Sequence, residues 1–188
     1  MKDKFGFYLD VYRKIKKTKC SFYEMPSHRD LICLKAFRKA NYYSKKNKKF
    51  FSFFWRLKLK SLRNKYDFNL YAETQIGEGL FIGHNGPIII NEKAIIGKNC
   101  NIATGVTIGQ ENRGKRKGTP IIGNKVWIGT NAVIVGNVNV GNNVLIAPNA
   151  FVNFDVPSNS IVIGNPAKII HSDNATENYI NNLVEEIL

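Results

Sequence analysis

Residues 121–152 read IIGNKVWIGTNAVIVGNVNVGNNVLIAPNAFV, and an aliphatic residue returns at every sixth place: Ile122, Ile128, Ile134, Val140, Ile146 and Val152. The same spacing runs upstream through Ile76, Ile82, Ile90, Ile96, Ile102 and Ile108. Two places before each anchor stands a second position, mostly small or apolar: Thr74, Leu80, Ile88, Ala94, Cys100, Val106, Pro120, Val126, Ala132, Val138, Val144 and Ala150. A short fixed period held over this length means a solenoid. Residues i−2 and i share one face of a short strand, so both point inward. Six residues form one side of a coil, and three such sides form a triangular coil. Gly77, Gly83, Gly97, Gly109, Gly123, Gly129 and Gly141 follow their anchors. A glycine there suits either a corner with φ > 0 or a close backbone approach.

Two breaks in the period locate a candidate site. Ile82 and Ile90 are eight residues apart, so two residues are inserted, and the insertion contains His84. Ile108 and Ile122 are fourteen apart, which leaves room for the excursion ENRGKRKGTP at 111–120. Repeat proteins place insertions on loops, often on the binding face.

The net charge of +14 is unevenly placed. Residues 1–65 hold 20 Lys and Arg against 4 Asp and Glu, whereas residues 66–188 hold 8 against 10. The basic character therefore belongs to the first third. Cys20, Cys33 and Cys100 show no metal-ligand spacing, and Cys100 sits at an inward position, as a small buried hydrophobe does. An odd number of cysteines without a framework fits a reducing compartment, and the charged N-terminus lacks the apolar region of a signal peptide, so a cytoplasmic location is expected. No His, Cys or carboxylate cluster has metal-ligand spacing, so no metal is expected.

Three helices are expected before the coil. Residues 1–20 carry Phe5, Tyr8, Leu9, Tyr12 and Ile15 on one stripe. Pro26 ends this helix, and Ser27 caps a second with Leu31, Leu34 and Phe37 on its apolar side. The lysine-rich SKKNKK leads to a third helix from Phe50 to Tyr66, aromatic and basic. Such a region packs on the end of the coil and also suits peripheral contact with an anionic membrane, at its inner face. No recognised nucleic-acid module accompanies the charge, so no nucleic-acid partner is expected. After Val152 the segment DVPSNSIVIGNPAKII closes the last coil, and residues 175–188 read as a short helix that covers its end. The division expected is a helical region at 1–66, a β-helix at 67–170 and a helical tail at 171–188.

The repeat, the histidine in LFIGHNGPIII, the segment NCNIATGVTIG, the loop and VIGNPAKII together resemble the hexapeptide-repeat acyltransferases. Over about residues 67–170 the chain is most similar to their serine-acetyltransferase-like branch, which includes O-acetyltransferases of bacterial surface polysaccharides. The resemblance implies a mainly β architecture, a left-handed parallel β-helix of hexapeptide repeats. It also implies a homotrimer, acetyl-CoA held as co-substrate between adjacent prisms, and His84 as general base. Acetyl transfer from a thioester to a hydroxyl needs that hydroxyl's proton removed, and histidine is the usual side chain for it. Of His28, His84 and His171, only His84 lies at a break in the repeat. CoA is polyanionic, so Lys125, Lys168 and the loop residues Arg113, Lys115, Arg116 and Lys117 are candidate partners for it or for an anionic acceptor. Gly109, Gly129, Thr130 and Ala147 lie where family members hold the rest of CoA. Trp127 points outward, towards a neighbouring subunit or CoA.

The chain departs from serine acetyltransferases at three places. Gly83 stands where they carry Asp before the histidine, Gly118-Thr119-Pro120 where they carry Arg-His-Pro, and Asn69 where an Asp orients the histidine. Glu92 keeps their acidic residue after the histidine stretch. Asn69, Asn85, Glu92 or a backbone carbonyl could accept from the His84 ring. A site that grips a zwitterion needs partners for both charges. The departures therefore direct the expectation to a saccharide acceptor, a sugar hydroxyl of a surface polysaccharide or its precursor. L-Serine O-acetylation is the alternative, followed by a non-catalytic coil with a basic arm and by N-acetylation of an amino sugar.

Overall fold

The computed structural model describes residues 4–17, 28–84 and 86–186. Pro26, Ser27, Cys20 and Asn85 lie outside the described residues. Helices α1 (Phe7–Ile15), α2 (Arg29–Lys45) and α3 (Lys49–Tyr66) precede the coil. The first face of the coil stacks β1 (Phe68–Asn69), β4 (Ile88–Ile90), β7 (Thr107–Gly109), β10 (Val133–Val135) and β13 (Phe151–Val152). The second stacks β2 (Gln75–Ile76), β5 (Ile95–Ile96), β8 (Ile121–Ile122) and β11 (Asn139–Val140). The third stacks β3 (Phe81–Ile82), β6 (Asn101–Ile102), β9 (Val126–Ile128), β12 (Val144–Ile146), β14 (Ser160–Ile163) and β15 (Lys168–His171). Among these strands every pairing is parallel except β14 with β15, the hairpin that ends the sheet. The result is a left-handed parallel β-helix of about five turns.

The register confirms the period. Ile82, Ile102 and Ile128 stack on one inner face, Ile96 and Ile122 on the next, and Ile90, Ile108 and Ile134 on the third. Each is 2% exposed or less. Burying one such side chain contributes about 1.5–3 kcal/mol, so the stacked anchors are the main stabilising feature of the coil. Cys100 is likewise buried, as its inward position requires.

The corners divide two tasks between two positions. Left-handed backbone falls three residues after the anchor, at Gly79, Asn99, Gly105, Lys125, Asn131, Asn143 and Asn149, with φ between 53° and 75°. Asparagine accepts this conformation more readily than most residues. The glycines directly after anchors serve close approach instead. A Cβ on Gly77 would lie 2.6 Å from the Gly97 carbonyl carbon, and one on Gly97 would lie 2.5 Å from the Gly123 carbonyl oxygen.

The helices join the coil in one continuous core, with Leu31, Leu34, Phe37, Leu59 and Leu62 packed with Phe68, Leu70 and Leu80. A buried ion pair fastens them. Arg38 donates to both Asp10 carboxylate oxygens at 2.8 and 2.9 Å and to the carbonyls of Ile76 and Gly77 at 2.7 and 2.6 Å. Asp10 also accepts from the Leu80 amide at 2.9 Å. The tail is less helical than its apolar spacing suggests. Residues 173–179 form turns, and among the described residues of the tail the only helical part is a single 3-10 turn, Val184–Glu186. Asn178 and Asn182 adopt left-handed φ of 63° and 56°, which interrupts an α-helix.

Candidate active site

His84 occupies the corner between the third and first faces, in the two-residue insertion between β3 and β4. It is exposed, and among the described residues no hydrogen bond reaches its ring. It opens onto a cleft of about 340 Å³ on the third face. Phe81, Gly83, Asn101, Ala103, Trp127 and Thr130 form its floor. Helix α1 walls one side with Arg13 and Lys14, and the tail walls the other with Tyr179, Asn181 and Asn182. This volume lies in the range of small-molecule sites.

The walls are held by specific contacts. Lys14 Nζ donates to the Ile82 and Gly83 carbonyls at 2.6 and 3.2 Å, pairs with Asp30 at 3.4 Å, and sits 4.6 Å from the Phe81 ring centroid. It therefore anchors the backbone directly before His84. Arg13 donates to the Asn101 side chain, to the Asn181 carbonyl and to the Gly79 carbonyl, the last at 3.1 Å. Burial pushes its pKa down to about 10, which leaves it charged at neutral pH. Asn101 Nδ2 donates to the Tyr179 carbonyl at 3.0 Å, and Trp127 packs edge-on against Tyr179 at 4.9 Å. Trp127 thus points outward, as its place in the repeat requires, and meets the tail of its own chain.

Thr130 shares the His84 corner, and Gly129 and Ala147 lie on the same column, since Gly129 donates to the Ile146 carbonyl and Ala147 to the Val162 carbonyl. With about 4.8 Å between rungs, Thr130 lies two rungs and Ala147 three from His84, roughly 10–14 Å along the coil. Lys168 is exposed at the start of β15 on the same face. Four of the expected CoA contacts therefore share an edge with His84. Gly109 and Lys125 lie on the other two corners, and Lys125 is exposed with φ 54°.

Asn69, Glu92 and the basic loop stand apart from His84 within one chain. Asn69 is on the first face, pairs in register with Ile89, and accepts from Arg63 at 3.3 Å. Glu92 is exposed at the corner between the first and second faces, below the loop. That loop is a small hairpin in which Glu111 and Gly118 exchange backbone hydrogen bonds of 2.9 and 3.0 Å. Arg116 pairs with Asp155 at 3.3 Å, while Arg113, Lys115 and Lys117 are exposed. The sequence reading missed Arg13, Lys14 and Asn101 as members of the cleft. They meet across 66 to 88 residues of chain, a separation no local pattern records.

Residues 119–153 match the family of bacterial transferase hexapeptide repeats (six repeats). The fold and this match make the coil one of hexapeptide repeats. Serine acetyltransferase of Synechococcus elongatus is 36% identical over 102 residues, which is 54% of this chain and 42% of that protein. That of Helicobacter pylori is 38% identical over 104 residues, 55% of this chain and 61% of that protein. The crystal structure of Neisseria gonorrhoeae serine acetyltransferase in complex with serine aligns over 88% of this chain and 66% of its own, with TM-score 0.66 and 28% identity. Serine acetyltransferase from Brucella abortus in complex with coenzyme A aligns over 89% and 66%, with TM-score 0.69 and 27% identity. The chain is thus serine-acetyltransferase-like. It spans about half the length of the curated relatives it matches, from 32% to 61%.

These relatives correct the expected acceptor. Each is a serine acetyltransferase, and none points to a polysaccharide. The expectation of a sugar rested on polar groups absent at Gly83, Gly118 and Thr119. Polar and cationic groups do line the cleft, Arg13 and Lys14 from α1 and Asn101 from β6.

Proposed function

We propose that this chain is an acetyl-CoA-dependent O-acetyltransferase whose acceptor is L-serine. The observation that carries this is the exposed His84 at the mouth of a cleft with cationic walls, on the same corner column as Thr130 and Ala147. The neutral imidazole takes the proton from the serine hydroxyl as its oxygen attacks the thioester carbonyl. The tetrahedral intermediate collapses, the C–S bond breaks, and the imidazolium returns the proton to the departing CoA sulfur. Lys14 is the less buried of the two α1 cations beside His84, and a carboxylate-bearing acceptor competes with Asp30 for its charge. Lys168 and the loop Arg113, Lys115 and Lys117 hold CoA phosphates. CoA is a co-substrate, with no permanent cofactor.

A homotrimer completes the site. His84 lies on one corner of the prism, and Glu92 and the loop on another, so a groove between copies brings both to one substrate. Ile89, Ile95 and Ile121 are 48%, 36% and 42% exposed on the outer faces and give those faces an apolar contact surface. Among the described residues no helix is long and apolar enough to cross a membrane.

Incubating the purified chain with acetyl-CoA and, separately, L-serine or glycans tests the reading by release of free CoA thiol. Serine-dependent release with O-acetylserine as product is the expected outcome. Absence of serine-dependent release overturns it. Sedimentation at three times the 21.3 kDa chain mass is the expected assembly.

A further inference from the structure

Helix α3 is apolar on two opposite sides. One side carries Ser52, Leu59 and Leu62, buried against α2 and the first coil. The other carries Phe50, Phe53, Phe54 and Leu57, which are 79%, 64%, 56% and 52% exposed. Their spacing of i, i+3, i+4 and i+7 places them on one stripe. At 3.6 residues per turn, Lys49 and Lys60 border that stripe on one side and Lys58 and Lys65 on the other. Phe51 extends it at one shoulder, where it stacks on Tyr43 at 5.1 Å. Residues 31–66 contain 12 Lys and Arg and no Asp or Glu. Single exposed hydrophobes are ordinary, but a continuous stripe of three phenylalanines and a leucine between lysine borders is not.

We propose that this face of α3 docks on an anionic lipid surface, with the helix lying in the plane of the membrane. The apolar stripe enters the boundary between headgroups and acyl chains, and the lysine borders meet lipid phosphates. Charge selects this occupant. A two-fold pairing with a second copy presses the same surface against itself, and lysine borders then meet lysine borders. A nucleic-acid duplex satisfies the lysines and leaves the phenylalanine stripe in water. Acetyl transfer has no part in this inference, and the stripe lies outside the His84 cleft.

Flotation of the full chain with vesicles tests it, using phosphatidylcholine alone and phosphatidylcholine mixed with phosphatidylglycerol. Binding is expected on the anionic vesicles only, and to weaken with added salt. Lys49→Gln with Lys60→Gln lowers the partition coefficient about thirtyfold, at roughly fivefold for each lysine. The variant Phe50→Ser/Phe53→Ser/Phe54→Ser/Leu57→Ser abolishes flotation, while its circular dichroism, oligomeric mass and acetyl transfer in solution stay as in the parent. In the Phe54→Trp protein the emission gained over the parent, which holds Trp55 and Trp127, shifts to the blue on anionic vesicles. No flotation, or equal flotation on both vesicle types, overturns the proposal. So does a stripe variant that still floats. A fall in its oligomeric mass assigns the stripe to a second copy, and an oligonucleotide bound in place of vesicles assigns the surface to nucleic acid; either result overturns the proposal as well.

Discussion

Replacing Arg38 with Met should be among the most damaging single changes outside the core of the coil. Asp10 is fully buried, and Arg38 is 8% exposed. The guanidinium supplies two hydrogen bonds to the carboxylate and two more to the carbonyls of Ile76 and Gly77. Methionine fills much of the same volume and supplies none of them. Removing one partner of a buried pair costs about 3–5 kcal/mol, because the other charge is left without compensation. For a chain of this size each kcal/mol lowers Tm by about 2–4 °C, so a fall of roughly 6–20 °C is expected. The loss should depend on pH. Burial already raises the Asp10 pKa, opposed by the Arg38 charge and by the Leu80 and Gly79 amides. Without Arg38 the pKa rises further. A carboxyl whose folded pKa is raised lends stability below its unfolded pKa, near 3.9, and loses it as pH climbs through the folded value. The variant's deficit against the parent is therefore largest at pH 8 and narrows towards pH 5. Urea unfolding across that range reads both quantities, and Asp10→Asn/Arg38→Met should recover part of the loss. A deficit under about 1 kcal/mol, or one that widens in acid, would refute the reasoning.

Lys14→Met releases the carbonyls of Ile82 and Gly83 and loosens the corner before His84. It should lower kcat about tenfold, since small misplacements at a reacting centre are costly, and it should lower Tm as well, because the buried Asp30 loses its partner. Ile134→Ala empties a fully buried rung and should cost about 2–5 kcal/mol in urea unfolding. Burial pushes the Cys33 and Cys100 thiols up to about 12. Both should resist alkylation at pH 8 in the native protein and react once it is unfolded, because the thiolate is the reactive form. Gly97→Ala places a methyl 2.5 Å from the Gly123 carbonyl oxygen and should reduce soluble yield or Tm, read by expression and thermal melting.

The coil was legible because its signal is local and repeated. Each anchor reports on its own rung, and the columns Ile82–Ile102–Ile128 and Ile96–Ile122 follow from spacing alone. His84 was legible because it interrupts that spacing. The choice between two uses of the post-anchor glycines needed coordinates, since both give the same residue. Asp10 and Arg13 were hidden for a different reason. A charged residue on an amphipathic helix reads as solvent-facing, yet both are buried here because partners distant in sequence satisfy them. The tail was misread because the helical spacing of apolar residues over 175–188 outweighed Asn178 and Asn182, whose left-handed backbone bends it into turns. The sugar expectation rested on three departures, Gly83, Gly118-Thr119 and Asn69, which weigh less than a similarity to serine acetyltransferases that runs through most of the chain.

The most direct measurement is steady-state acetyl transfer to L-serine by His84→Ala, alongside calorimetry of CoA binding to the same protein. Loss of a positioned base should lower kcat by about 10²–10⁴-fold, while CoA affinity and oligomeric mass stay as in the parent. Turnover within a few-fold of the parent would contradict the assignment of His84 as the base.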